Sequence, residues 1–391
     1  MPGCTGTRAL CGRRFWRMPS PMVCWVSGWS FTETGNSGDL RMGQAMSRVR
    51  GRWGWLLQAF VLLVAVGVVF LWSNLSDNPE RRPVLALLQY LPYPVYLAPA
   101  VLALIVSFWL AWPWRVVSMS ALAVVLVPIM GLCLGHADEG YGRIRFMTYN
   151  TKAYYANLRP HGFEELAMEV MQHDPDVLVM QDSSEMNRLQ QNRPDMFHAI
   201  VGDRHTYGYG QYLIASRFPL KDCGPGWIPF DMQMHSFAHC VLQAHGQEID
   251  LVTVHFVTPR EGLNATRREG LKGLTAWSDN MNHRLGQSGL LAEQMRQFKP
   301  QRPRIVAGDL NAPESSAVVK TLLHTGLRDA YSSAGFGYGY THGHSLKPGL
   351  SLLRIDHILV SDSIGVVDAE VGGKIASEHR PVIADLLLVK Q

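Results

Sequence analysis

Two regimes of hydrophobic patterning divide the chain. From Trp53 to Trp72 the sequence is almost unbroken apolar, and at ~1.5 Å per residue it can cross a ~30 Å hydrocarbon core. Tyr96–Trp112, extendable backwards to Val95, forms a second such run, and Val116–Gly135 a third, expected to bend at Pro128. These runs predict three transmembrane helices at about 53–72, 95–112 and 116–135, within an anchor of residues 46–137. Trp53, Trp55, Trp72, Trp109, Trp112 and Trp114 sit at the ends of the runs, as interfacial aromatics do. Three such runs in succession argue against buried helices of a soluble protein. Pro83–Pro94 is apolar but too short to span, and is expected to lie along the interface.

From Arg143 onward the pattern shortens. Ile144–Tyr149, Val177–Met180, Tyr212–Ser216, Leu251–Phe256, Ile305–Ala307, Ile355–Val360 and Val382–Val389 read as strands. Phe163–Gln172, Ala265–Arg284 and Leu290–Phe298 read as helices, the first ended by Asp174-Pro175. Periodicity alone supports an α/β class here. Residues 1–45 have no periodicity and carry scattered Gly, Ser and Pro. The true start is expected at Met46 or Met42, the alternative being a disordered cytoplasmic tail.

Charge refines the picture. Arg48, Arg50 and Arg52 precede the first run, and Arg115 lies between the second and third, against Arg81 and Arg82 in the other loop. This bias favours a cytoplasmic N-terminus, and three spans then put the remainder outside the cytoplasm. The formal charge of +4 over 391 residues does not mark a dedicated nucleic-acid binder. Six cysteines exclude a disulfide scaffold, and no Cys-x-x-Cys pair suggests zinc. For Cys223 and Cys240 the default expectation is two reduced buried thiols, with a bond in an oxidising compartment as the alternative.

The chemistry is concentrated at strand ends. In RIVAGDLN an apolar run stops at Gly308 and presents Asp309 and Asn311. Five other segments repeat the design: RFMTYNTK with Asn150, DVLVMQDSSE with Gln181 and Asp182, DLVTVHF with His255, LLRIDHILVS with Asp356 and His357, and SEHRPV with His379. In this order, over residues 143–391, the set resembles the endonuclease/exonuclease/phosphatase superfamily, including bacterial membrane-anchored members. The resemblance implies a four-layered α/β sandwich and a metal-dependent phosphoric ester hydrolase using Mg²⁺ or Mn²⁺.

By that resemblance Asn150 and Asp182 hold the metal, with Glu185 as a fallback ligand. Asp182 stands where the family usually has Glu, a departure that shortens the arm. Asp309 activates the attacking water, Asn311 holds a phosphoryl oxygen, His255 and His379 flank the phosphate, and Asp356 fixes the ring of His379 and favours its imidazolium. His357 is expected to be packed or supporting. Tyr209 and Gln211 are candidates for the mouth of the site. His342 and His344 lie in a Gly-rich loop and are candidate substrate contacts, a solvated loop being the equal alternative. Arg267 and Arg268 read as a solvated helix face. An anchored enzyme of this kind suits a substrate in the lipid bilayer, such as a polyprenyl pyrophosphate or a phospholipid head group. The alternative is an extracytoplasmic nuclease acting on DNA or RNA.

Overall fold

The computed structural model describes residues 51–230, 233–343 and 350–389; the expectations for residues 1–45 and for His344 lie outside these. The β-branched runs form the middle of two six-stranded sheets among the described residues. In chain order the strands are β1 (Tyr141–Asn150), β2 (Val177–Gln181), β3 (His205–Tyr209), β4 (Tyr212–Ser216), β5 (Leu220–Phe230) and β6 (Gln233–Ala244). They continue with β7 (Gln247–His255), β8 (Arg304–Asp309), β9 (Leu327–Asp329), β10 (Asp356–Ser361), β11 (Ile364–Val371) and β12 (Val382–Leu388). One sheet has the order β11-β12-β1-β2-β4-β3, the other β9-β10-β8-β7-β6-β5.

Each sheet has one parallel pair near its centre: β1 with β2, where Asn150 faces Gln181, and β7 with β8, where His255 faces Asp309. Alternate residues of the inner strands point to opposite faces. Phe146, Ile305 and Ile358 pack between the sheets, while their neighbours Met147, Val306 and Leu359 pack outward against helices. Burial on both faces explains why these strands read as continuous apolar runs. The outer helices include α4 (Gly162–His173) on the first sheet, and α5 (Arg260–Glu269) with α6 (Leu274–Met295) on the second. The result is a helix–sheet–sheet–helix sandwich.

The helical expectation for Ala265–Arg284 is corrected. The chain breaks at Gly270, whose φ of +61° is open to glycine, and α6 then runs through to Met295. Strands β3, β5, β6, β9 and β11 escaped the sequence reading; β6 is next to an edge and the others are edge strands. In β5, Gly224, Pro225, Gly226 and Pro229 erase any alternation.

Ahead of the sandwich, α1 (Arg52–Ser76), α2 (Leu97–Ser107) and α3 (Trp112–Val124) pack on one another through Val61, Val68, Ala100, Ala103 and Val125. The hydroxyl of Ser118 donates to the Ala103 carbonyl at 3.1 Å across α2 and α3. Three equal spans are not what the structure contains. Trp53–Ser76 and Trp112–Ile129 are long and apolar enough to cross a membrane, whereas Tyr93–Ser107 is a shorter apolar helix. The boundary moved because Pro113, at the start of α3, fixes a helix beginning four residues earlier than hydropathy suggests. Past α3 the helix widens into a π turn, Val125–Ile129, containing the Pro128 that was expected to bend it.

The stretch Pro79–Tyr96, which includes the short apolar run Pro83–Pro94, makes contacts of its own. It packs on the sandwich: the Trp277 indole N–H donates to the Pro83 carbonyl at 2.9 Å, and the Glu80 carboxylate accepts from Ser316 Oγ at 2.5 Å and from the Ala317 amide at 3.0 Å. Beyond α3, Cys133–Leu134 pairs with Phe336–Gly337 as a short antiparallel ladder. A further correction concerns the cysteines. Cys223 and Cys240 form a disulfide between the adjacent strands β5 and β6, next to a register shift at Lys221–Gly224.

Candidate active site

The parallel pairs aim their C-terminal ends at one point, so the polar residues that end β1, β2, β7 and β8 converge there. Asp309 is the centre. Its Oδ2 accepts from Asn150 Nδ2 at 2.9 Å and lies 3.4 Å from His255 Nε2 and 3.7 Å from His379 Nε2; its Oδ1 accepts from the Asn311 amide at 2.8 Å. Gly308 lets this happen. A Cβ there would lie 1.9 Å from the Val254 carbonyl oxygen, inside the neighbouring strand.

Both histidines have their second nitrogen occupied. His255 Nδ1 lies 2.7 Å from Gln211 Oε1, and His379 Nδ1 lies 3.0 Å from Asp356 Oδ2. Since these acceptors hold the Nδ1 proton, each ring presents Nε2 toward Asp309. Asp356 faces Asp309 directly in the β8–β10 ladder. Burial pushes the Asp356 carboxyl up to about 6 and the His379 imidazole down to about 4. Burial thus disfavours the charged His379 ring, and the neighbouring Asp309 carboxylate opposes that effect. His342 stacks on His379 with ring centroids 4.4 Å apart, and burial pushes it down to about 4 as well.

Asp182 follows the β2 strand, one step past the residue facing Asn150. Its Oδ2 accepts from Lys152 Nζ at 2.6 Å, and its Oδ1 is 3.8 Å from His255 Nδ1. Burial opposes ionisation, but His255 and Lys152 outweigh it and hold the Asp182 carboxyl below the usual range. Lys152, Asp182 and Asn311 all have left-handed backbones, with φ of 47°, 50° and 50°. Such conformations cost energy in non-glycine residues and cluster at working sites. Lys152 was missed in the sequence, although it stands two positions past Asn150 at the same strand end.

Not every expected residue reaches the centre. Glu185 pairs with Arg188 on its own helix at 2.8 Å, and Tyr209 packs edge-on against Trp227 on the edge strand β3; neither lines the cavity. His357 is fully buried between Asp329 Oδ2 at 2.7 Å and the Ala312 carbonyl at 3.0 Å, a structural position. Asn311 lines the cavity, but its Nδ2 donates to the Phe256 carbonyl at 2.9 Å. Arg267, expected on a solvated face, lines the cavity with Arg260.

The cavity measures about 690 Å³. Lys152, Asp182, His255, Asp309 and His379 make its polar end; Phe256, Val257, Leu263, Leu352 and Leu353 supply apolar wall. Two donor sets fit a divalent cation. Asn150 and Asp182 offer hard oxygens at adjacent strand ends, the sparse set that Mg²⁺ accepts when water and substrate complete the shell. Asp309, Asp356 and His379 form a buried group whose ligand atoms lie within 4.8 Å of one another. The second set is already consumed by the His379–Asp356 hydrogen bonds, so the first is the better fit, with Lys152 as the cation it must share Asp182 with.

Several solved structures are similar in fold. An endonuclease/exonuclease/phosphatase from Bacteroides vulgatus aligns at 18% identity over 63% of this chain and 99% of its own, with a TM-score of 0.48. Truncated Caenorhabditis elegans TDP2 aligns at 17% over 63% and 97%, TM-score 0.46, and the Bacteroides thetaiotaomicron mannosyl-6-phosphatase at 20% over 63% and 100%, TM-score 0.44. No curated protein matches the chain. Residues 147–379, which run from the β1 strand to His379 and so enclose every residue at the centre of the site, match the endonuclease/exonuclease/phosphatase family. The chain belongs to that family, whose members are metal-dependent phosphoesterases and nucleases.

Proposed function

We propose that this protein is a membrane-anchored, Mg²⁺-dependent phosphohydrolase that works outside the cytoplasm on a lipid-linked phosphate ester or diester. The observation that carries this reading is the mixed lining of one cavity, which brings Asp309 and Lys152 together with Phe256, Leu263 and Leu352. The helical anchor supports it. Trp53, Leu63, Phe70, Trp112 and Met119 are each more than half exposed, an apolar surface that water does not favour. The Cys223–Cys240 disulfide is the kind of bond that persists in oxidising compartments.

In this reading Asn150 and Asp182 would hold the ion, and the ion would supply positive charge to the phosphoryl oxygens and the leaving oxygen. Asp309, fixed by Asn150 and the Asn311 amide, orients the attacking water and draws off its proton. With a proton on Nε2 as well as on Nδ1, the rings of His255 and His379 would stabilise the negative charge that grows on the phosphoryl group, Gln211 and Asp356 holding their orientation. Lys152 adds a positive charge at the same end.

The second reading is an extracytoplasmic nuclease, favoured by Arg260 and Arg267 at the cavity wall. One assay separates the two: the full chain in detergent with Mg²⁺, offered lipid phosphates in mixed micelles, a generic phosphodiester, and single- and double-stranded DNA. The lipid phosphates are expected to give the highest kcat/KM, and chelation to abolish turnover. Faster cleavage of DNA, weakening steeply with salt, would replace the lipid reading with the nuclease one.

A further inference from the structure

We infer that the segment between α1 and α2 is a working part of the active site, with Tyr90 as a positioning residue for the Asp309–Asn311 turn. Tyr90 belongs to the anchor by sequence, yet it lines the catalytic cavity. Its hydroxyl donates to the Asn311 carbonyl at 3.0 Å and accepts from Arg284 Nη1 at 2.7 Å. Arg284 Nη1 also donates to the same Asn311 carbonyl, at 3.0 Å. Tyr90, Arg284 and the Asn311 carbonyl therefore close a three-membered polar cluster directly beneath the turn that carries Asp309.

The cluster is built for position. Arg284 is 1% exposed, and among the described residues no carboxylate pairs with it. A buried guanidinium without an anion is costly. Here its charge lies over the faces of Tyr90 and Trp277, at 5.1 and 5.4 Å from their centroids, and Trp277 in turn meets Tyr90 edge-on at 5.4 Å. Removing the anchor segment would strip the guanidinium of its hydroxyl partner and one of its two rings. The Asn311 backbone is left-handed and holds Asp309 Oδ1 through its amide, so a loosened Asn311 carbonyl misplaces Asp309 itself. The Trp277–Pro83 and Glu80–Ser316 bonds seat the segment from either side.

The kinetic part of the test rests on the phosphohydrolase reading; the exchange part does not. Tyr90→Phe in the full chain keeps the ring contacts and removes only the hydroxyl. With a soluble generic phosphodiester and Mg²⁺, kcat is expected to fall roughly two- to tenfold, the worth of one hydrogen bond, with KM little changed. Hydrogen exchange at the Leu310 and Asn311 amides should quicken by a similar factor. Tyr331→Phe is the control, because the Tyr331 hydroxyl donates to the Phe336 carbonyl at 2.7 Å, outside the segment and the cavity, and should leave both readouts unchanged. Unchanged exchange at Leu310 and Asn311 in Tyr90→Phe would overturn the inference, as would a lowered melting temperature with unaltered kcat. A wild-type chain that hydrolyses no phosphate ester would refute the proposed function, while the exchange comparison would still decide the seating.

Discussion

Asp309 contacts Asn150, His255, His379 and Asn311 from a single carboxylate, so its substitution tests the site most directly. Asp309→Asn preserves shape and should leave the circular dichroism spectrum and melting temperature nearly intact, while kcat on a generic phosphodiester falls by about 10²–10⁴. Near-normal kcat would remove it as the water-orienting group. Asp182 and Lys152 form the second residue-scale test. Asp182→Ala should raise the Mg²⁺ concentration needed for half-maximal activity, and Asp182→Glu should stay active. Lys152→Met removes the ammonium 2.6 Å from that carboxylate, so it should lower the Mg²⁺ requirement and raise KM for an anionic substrate. An unchanged Mg²⁺ titration in Lys152→Met would separate Asp182 from the metal.

At the scale of elements, the strands buried inside the sheets were mostly legible and the edge strands were not. β1, β2, β7, β8 and β10 are buried on both faces, so their apolar runs end visibly at Asn150, Gln181, His255 and Asp309 or begin at Asp356. Edge strands such as β3 and β5 show no such run. Gln211 was legible as a residue near the mouth, but its bond to His255 depends on β4 and β7 coming together across the two sheets. Tyr90 carried no signal, because a tyrosine in an apolar stretch looks like any interfacial aromatic. The β9–β10 junction offers a stability test. Burial would raise the Asp329 carboxyl, but Arg354 at 2.6 Å and His357 at 2.7 Å outweigh it and hold it well below the usual range. A depressed carboxylate stabilises the fold above its unfolded value of about 4, and that stabilisation is lost as pH falls below it. Asp329→Asn should therefore cost about 3–5 kcal/mol at neutral pH, measured by denaturant unfolding. Its deficit relative to the wild type should shrink in acid; a deficit that stays constant would mean the carboxylate is not the origin.

For the whole molecule, the decisive question is the side of the membrane. The turn Phe108–Ala111 between α2 and α3 lies at the opposite end of the helices from the Pro79–Tyr96 segment and from the sandwich that follows Ile129. If Tyr93–Ser107 crosses together with the two longer helices, Arg115 falls on the side of the α1 N-terminus and Arg81 and Arg82 on the side of the sandwich, the distribution that the proposed export of the sandwich requires. A C-terminal alkaline phosphatase fusion should be active and a green fluorescent protein fusion dark. A fluorescent fusion would reverse the orientation and bring cytoplasmic nucleotides and DNA ahead of lipids as substrates. The disulfide agrees with export, and non-reducing electrophoresis of cells blocked with a thiol reagent should find Cys223 and Cys240 protected.

The sandwich meets its helices through the Pro79–Tyr96 segment, the Cys133–Leu134 ladder, and Tyr338, Tyr340 and Leu353, which pack against the helices. A domain on one flexible strand swings and searches a volume around its root. A domain gripped at several points keeps one bearing. In the proposed anchored reading, its cavity would work as a gauge set against the bilayer, admitting phosphates that stand at a single level above the surface and passing over equally reactive ones held higher or lower. Selectivity of that sort would not be visible in any residue of the cavity, and would vanish in detergent.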